Sequence, residues 1–380
     1  MANEATPSSP RLDYIDNLRS TMIFLVLAMH AAVTYSHFGR WYYNAPEPIG
    51  RWEGLVFGLF QGHLQAFFMG LLFLVAGYFT PISYDRKGGG HFLWDRFVRL
   101  GLPSLLFIFA IHDTMGHFML HWHGNDTFWH SYVYYVTHGD WLDGSGPMWF
   151  AIALLAFSLG YAVIRAVLPH FSTAFKVPGI RGVLCGGLIV TALTFLARVV
   201  WPLGTAWHNM QFCFFAQYIA LFAVGVFARR GDWFATFSTR SGYRLLIGAA
   251  IAGPLVWLGV QFAGPLLPAE PGAFSGGWHW QSALGAAWEQ MFGVAFCAGL
   301  LVLFREKFNT GGRLSKLVSA NSFGIYVFHP PVLVATSLVL AGWAAPALCK
   351  FAVATVLAFL ASLAFVHLVA RRIPLLKSIL

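Results

Sequence analysis

Ten long apolar runs govern what this chain can fold into. Cut at its charged, proline-rich and glycine-rich breaks, the sequence yields spans of roughly 17 to 25 residues, the length an α-helix needs to cross a hydrocarbon core. They fall near 20–38, 54–80, 101–120, 147–168, 182–201, 212–228, 245–263, 283–304, 320–340 and 345–369. The runs are continuously apolar, without period-two alternation, so helices are predicted and a membrane β-barrel is not. Only 10% of the 380 residues are charged, too few to cover a soluble fold of this size. The expectation is an all-α polytopic membrane protein with about ten transmembrane helices. One domain would cover 20–369, between polar tails at 1–19 and 370–380.

Lysine and arginine concentrate in alternate connections. Of the 24 basic residues only Arg40, Arg51, Arg198 and Lys350 fall outside that set, which predicts both termini in the cytoplasm and a multi-pass protein of the inner (cytoplasmic) membrane. Topology thus accounts for the net charge of +9. No basic stretch is interleaved with aromatics in a nucleic-acid-binding pattern, so no nucleic-acid partner is expected. Residues 1–19 lack an apolar core followed by a small-residue cleavage site, and the first span is expected to act as an uncleaved anchor. Cys185, Cys213, Cys297 and Cys349 are far apart and form no CxxC, as befits packing residues. Trp41, Tyr42, Tyr43, Trp278 and Trp280 fit an interfacial aromatic belt.

Ionisable residues inside spans are functional candidates by default; here they are His30, Asp113, Arg198 and Glu289. Arg19 and His30 are eleven positions apart. At 100° per residue that is within about 20° of three full turns, so they share a helix face with a rise of about 16 Å between them. Asp16 precedes Arg19 by three positions and joins that face. Arg96 and Arg99 form a second basic pair at the entrance to the third span, again three apart. Arginine forks hold phosphate oxygens, so Arg19, Arg96 and Arg99 are candidates to bind a polyphosphorylated donor; anchoring to lipid headgroups is the other reading. His30 is a candidate general base or else a packing histidine. Glu289 is a second catalytic candidate, to orient an acceptor or His30, with an ion pair to another helix as its alternative. His329 precedes Pro330 and Pro331, which must free backbone carbonyls in the ninth span. His112, Asp113, His117, His121 and His123 cluster in sequence, but their offsets build no compact ligand face on a helix, and no metal is predicted.

These residues resemble the acyltransferase-3 family of integral membrane acyltransferases, with a general look closest to glucan-modifying succinyltransferases. The resemblance rests on Leu12-Asp13-Tyr14-Ile15-Asp16-Asn17-Leu18-Arg19 with ten residues before His30, Phe73-Leu74-Val75-Ala76-Gly77-Tyr78, and Arg96-Phe97-Val98-Arg99. Gly146-Pro147-Met148-Trp149-Phe150 and Ser322-Phe323-Gly324-Ile325-Tyr326-Val327-Phe328-His329-Pro330 extend it. It implies a ten-helix core that takes an acyl group from cytoplasmic acyl-coenzyme A, the donor substrate, to a hydroxyl of a carbohydrate or other acceptor. His30 would be catalytic and Arg19, Arg96 and Arg99 would hold coenzyme A. Asp16, His329 and Trp149 are candidate substrate contacts. Ala76 stands where the family often has serine. No soluble esterase-like domain is seen, so transfer is expected to finish within the membrane domain. The rival function is a transporter or flippase for an anionic or sugar-linked substrate, which should show paired broken helices in inverted repeats; none is evident.

Overall fold

The computed structural model describes residues 12–168, 175–263 and 270–380; residues 1–11 of the expected N-terminal tail lie outside the described residues. Among the described residues ten helices are long and apolar enough to span a membrane: α1 (Asp13–Ser36), α2 (Arg51–Lys87), α3 (Gly89–Leu120), α4 (Gly146–Val167), α5 (Ile180–Val200), α6 (Phe212–Arg230), α7 (Thr239–Ala263), α8 (Trp280–Lys307), α9 (Arg313–Val339) and α10 (Ala347–Arg372). Among the described residues there is no β-strand. Each of the ten expected spans corresponds to one helix. Helix α1 starts earlier than its apolar run because Asp13 and Asp16 in its first turn suit the positive end of the helix dipole.

Helix α1 is central, packed against α2, α8, α9 and α10. Its inner surface, including Leu18, Met22, Val26 and Leu27, is buried, so the polar residues it carries are held at fixed depths. Helices α2 and α6 cross most closely. A Cβ at Gly77 would lie 2.1 Å from the Phe222 carbonyl oxygen, and one at Gly225 would lie 2.1 Å from that of Leu74. Backbone contact of this kind, through small residues, is how helices associate where lipid supplies no hydrophobic drive.

Helix α3 is not regular. Phe97–Gly101 and Phe107–His112 are π-helical turns, rare features that re-aim side chains and gather at functional sites. The second is braced from outside: in the short helix Phe128–Thr137, Tyr135 donates to the Ile108 carbonyl at 3.0 Å and Tyr132 to that of Phe109 at 2.7 Å.

Candidate active site

Helix α9 continues through Pro330 and Pro331. Because Pro330 has no N–H, the Tyr326 carbonyl four residues earlier loses its helical donor. It is taken up instead by His329, whose Nδ1 lies 2.8 Å away. A carbonyl oxygen only accepts, so the His329 proton is on Nδ1 and its Nε2 presents a lone pair. That Nε2 lies 2.9 Å from His30 Nδ1, which must therefore be the donor. His30 Nε2 is left as an unprotonated base. The two prolines thus set the tautomer of a histidine on another helix.

The site is closed from the α1–α2 connection. After α1, His37 takes a left-handed conformation (φ 62°) and turns the chain back, and Trp41 lies flat on His30, with ring centroids 3.9 Å apart and planes 13° from parallel. Trp41 is no passive member of an interfacial belt, and its Nε1 is buried without a partner. Next to it Tyr42 hydrogen-bonds His112 at 3.1 Å, and burial pushes its phenol well above the ordinary range, keeping it neutral. Tyr326 donates through its hydroxyl to the Pro147 carbonyl, so the Gly146–Phe150 and Ser322–Pro330 segments meet. His30 keeps some accessible surface.

At the other end of α1, Arg19 keeps 49% of its side-chain accessibility. Asp16 is 3.9 Å from it, a distant partner that leaves the guanidinium donors largely available. Arg96 lies within electrostatic reach of both Arg19 and Arg99. Its Nε is buried without a hydrogen-bond partner, and its guanidinium lies over the Phe92 ring. Arg99 does not share this setting: it is exposed and pairs with Asp95 at 3.2 Å. The reason is the π turn between them. Its i→i+5 pattern makes three residues cover less of a turn than in an α-helix, so Arg99 is rotated away from Arg96.

The remaining candidates lie elsewhere. Asp16 is with the arginines, about 21 Å along α1 from His30 at 1.5 Å per residue. Trp149 packs on Tyr218, 5.7 Å between ring centroids, and Gln65 donates to the Tyr218 hydroxyl at 3.3 Å. Glu289 is not brought to His30. One of its carboxylate oxygens is 2.6 Å from Arg198, itself only 1% exposed, and the other accepts from Gln290 at 2.8 Å. Asp113 pairs with His123 at 3.1 Å and His117 with Ser131 at 3.2 Å; among the described residues no three metal-type ligands converge.

With this geometry described, comparison with known proteins is informative. The acyltransferase domain profile of the acyltransferase-3 family matches residues 12–367. The chain belongs to that family. It is also 29% identical over 97 residues to glucans biosynthesis protein C of Salmonella typhi, and equally to that of Salmonella typhimurium. The match covers 26% of this chain and spans 24% of the length of those relatives. No solved structure matches. Family membership supports a multi-pass membrane acyltransferase, acting between an acyl donor and an acceptor.

Proposed function

We propose that this acyltransferase-3 family member moves an acyl group from cytoplasmic acyl-coenzyme A to a hydroxyl of a carbohydrate acceptor, with His30 as general base. The observation that carries the reading is the His30–His329 relay ending on a proline-freed carbonyl, which leaves His30 Nε2 unprotonated. The donor's phosphates would sit on Arg19 and Arg96, whose donors are incompletely satisfied, with Arg99 adding charge at the rim. The rise of about 16 Å from Arg19 to His30 suits an extended pantetheine arm carrying the thioester toward the histidine.

In the chemical step the acceptor oxygen attacks the thioester carbon while its proton passes to His30 Nε2. The imidazolium so formed is steadied by His329 Nε2 accepting from its Nδ1–H. The tetrahedral intermediate collapses by breaking the carbon–sulfur bond, and the proton on His30 goes to the departing thiolate. Trp41 Nε1–H, unpartnered beside the dyad, is the donor offered to the developing oxyanion. The name of the Salmonella relatives favours a glucan as acceptor.

Binding of coenzyme A and short acyl-coenzyme A esters to the purified protein, measured by calorimetry beside Arg96→Ala, tests the reading. Binding by wild type that is weakened in the variant is expected. A well-folded wild type that binds none of them would overturn it and favour the transporter alternative.

A further inference from the structure

The segment 37–50, between α1 and α2, lays Trp41 on His30, yet it is held differently from the helices around it. It contains no helix or strand, and Ala45 is its one buried residue. Its tethers are polar. The backbone N–H of Ala45 donates to the Thr34 carbonyl at 2.8 Å, and Tyr42 meets His112 at 3.1 Å. Two more converge on Glu47: His37 donates through Nε2 to its carbonyl at 3.0 Å, and Lys350, in the first turn of α10, donates to its carboxylate.

The Lys350–Glu47 pair is lopsided. The lysine side chain is 3% exposed and that of Glu47 44%. Lys350 therefore depends on the segment for its counterion, with the Ala341 carbonyl at 3.4 Å as a second contact, whereas Glu47 already faces water. A buried charge that loses its partner is costly, which draws the segment back whenever it lifts. With the pair in place, desolvation offsets most of the attraction, so the segment is not locked down. Beside the pair a cavity of about 250 Å³, bounded by Tyr35, Pro48 and Pro346, gives water room to reach the ammonium while the two are parted.

Trp41 lies across one face of His30, and His329 takes its Nδ1 edge. A reacting hydroxyl has to come within about 3 Å of His30 Nε2 and bring its carbon skeleton with it. We propose that residues 37–50 form a lid latched by Glu47 and Lys350, which lifts Trp41 to admit the acceptor and closes to return the indole to His30. Glu47 and Lys350 are then positioning residues that act through Trp41. The closed state is the one that reacts, because it sets the Trp41 N–H beside the dyad. The lid's purpose rests on His30 being the base, as proposed above, whereas access to His30 is measurable without turnover.

The test is modification by diethyl pyrocarbonate, which attacks an unprotonated imidazole nitrogen, on the full-length protein in nanodiscs, with each histidine read by peptide mass spectrometry. His130, whose side chain is 72% exposed, standardises the reagent. With attack slower than reclosing, the rate at His30 follows the open population. In wild type His30 should react roughly tenfold or more slowly than His130, as a group reached through local opening does. Trp41→Ala, without the cover, sets the fully open rate. Lys350→Met should raise the His30 rate toward that ceiling by about ten- to a hundredfold, the worth of a charge-assisted hydrogen bond, with His130 unchanged. Lys350→Arg should restore slow modification. His37→Ala, at an exposed residue, removes a neutral bond to Glu47 and should raise the rate about three- to tenfold, which keeps the experiment decisive if Lys350→Met folds poorly. Wild-type His30 reacting as fast as His130 would overturn the lid. So would a Trp41→Ala rate equal to wild type, or a His30 rate unmoved by both His37→Ala and folded Lys350→Met. Absence of acyl transfer would count against the catalytic reading alone.

Discussion

Replacing His329 with leucine removes the acceptor for His30 Nδ1–H and leaves the rest of His30 in place. During attack His30 becomes cationic, so the bond it donates to His329 Nε2 at 2.9 Å is a charge-assisted one, worth about 1.5–3 kcal/mol. In the ground state both rings are neutral and the same bond is worth about 1 kcal/mol. The difference acts on the barrier, and the released His30 ring also samples the wrong tautomer. Together these predict a fall in kcat of about 10- to 100-fold, with the affinity for acyl-coenzyme A unchanged because the arginines are at the other end of α1. His329→Gln, whose amide oxygen is able to accept from His30, should recover part of the loss. His30→Ala should lose more, about 10²- to 10⁴-fold, the usual worth of a general base. The assay is steady-state transfer to an oligosaccharide acceptor, with donor binding measured separately. The decisive comparison is the double variant. If His329 acts only through His30, His30→Ala with His329→Leu is no slower than His30→Ala alone. Strictly multiplicative losses, or a His329→Leu enzyme within a factor of two of wild type, would refute the relay.

Trp41→Phe keeps a ring on His30 but removes the indole N–H. If that N–H meets the oxyanion, kcat should drop about 10²-fold with donor affinity intact, whereas a purely packing role predicts near-wild-type turnover. Arg96→Ala should raise the donor dissociation constant about tenfold or more, the loss of a charge-assisted phosphate contact, and calorimetry with coenzyme A alone reads it. Arg99→Ala, at an exposed residue already paired with Asp95, should have a clearly smaller effect in the same titration. Glu289→Leu strands a buried Arg198 and should cost about 3–5 kcal/mol of stability. Adding Arg198→Met should restore much of the lost thermal midpoint; a double variant that is stable yet inactive would instead place Glu289 in the chemistry.

The helices were legible because length and continuity of apolar residues act locally. The Arg19-to-His30 alignment was legible for the same reason, since both lie in one helix and its repeat is fixed. The freeing of carbonyls by Pro330 and Pro331 was legible as well, but its consequence was not: the carbonyl is claimed by His329, and His329 by a residue 299 positions away. No local pattern encodes such a distance. Trp41 was misread because an aromatic near a membrane boundary has the same sequence signature whether it faces headgroups or folds inward. The π turns were hidden too: the one over Phe107–His112 is braced by Tyr132 and Tyr135 from a distant helix, and neither turn has a marker residue. The Glu289–Arg198 pair did leave a signal. Arg198 stands near the end of its span and Glu289 near the start of its own, which runs the opposite way, and two opposite charges at matching depth in lipid have strong reason to meet.

Among the described residues no carboxylate pairs with His30 or His329, which follows from where the site lies. An acidic partner would place a full charge beside a neutral imidazole in a low-dielectric interior, where an ion requires a counterion and further hydrogen bonds to be tolerated. The acidic group deep in the neighbouring helices, Glu289, has that requirement met by Arg198 and Gln290. A histidine backed by a carbonyl does the orienting without any resting charge. The carbonyl exists as an acceptor because a proline removed its helical donor, so the dyad uses polarity that the backbone already contained. Charge then appears at His30 only while the acceptor proton is in transit, when His329 and the developing oxyanion are both placed to offset it.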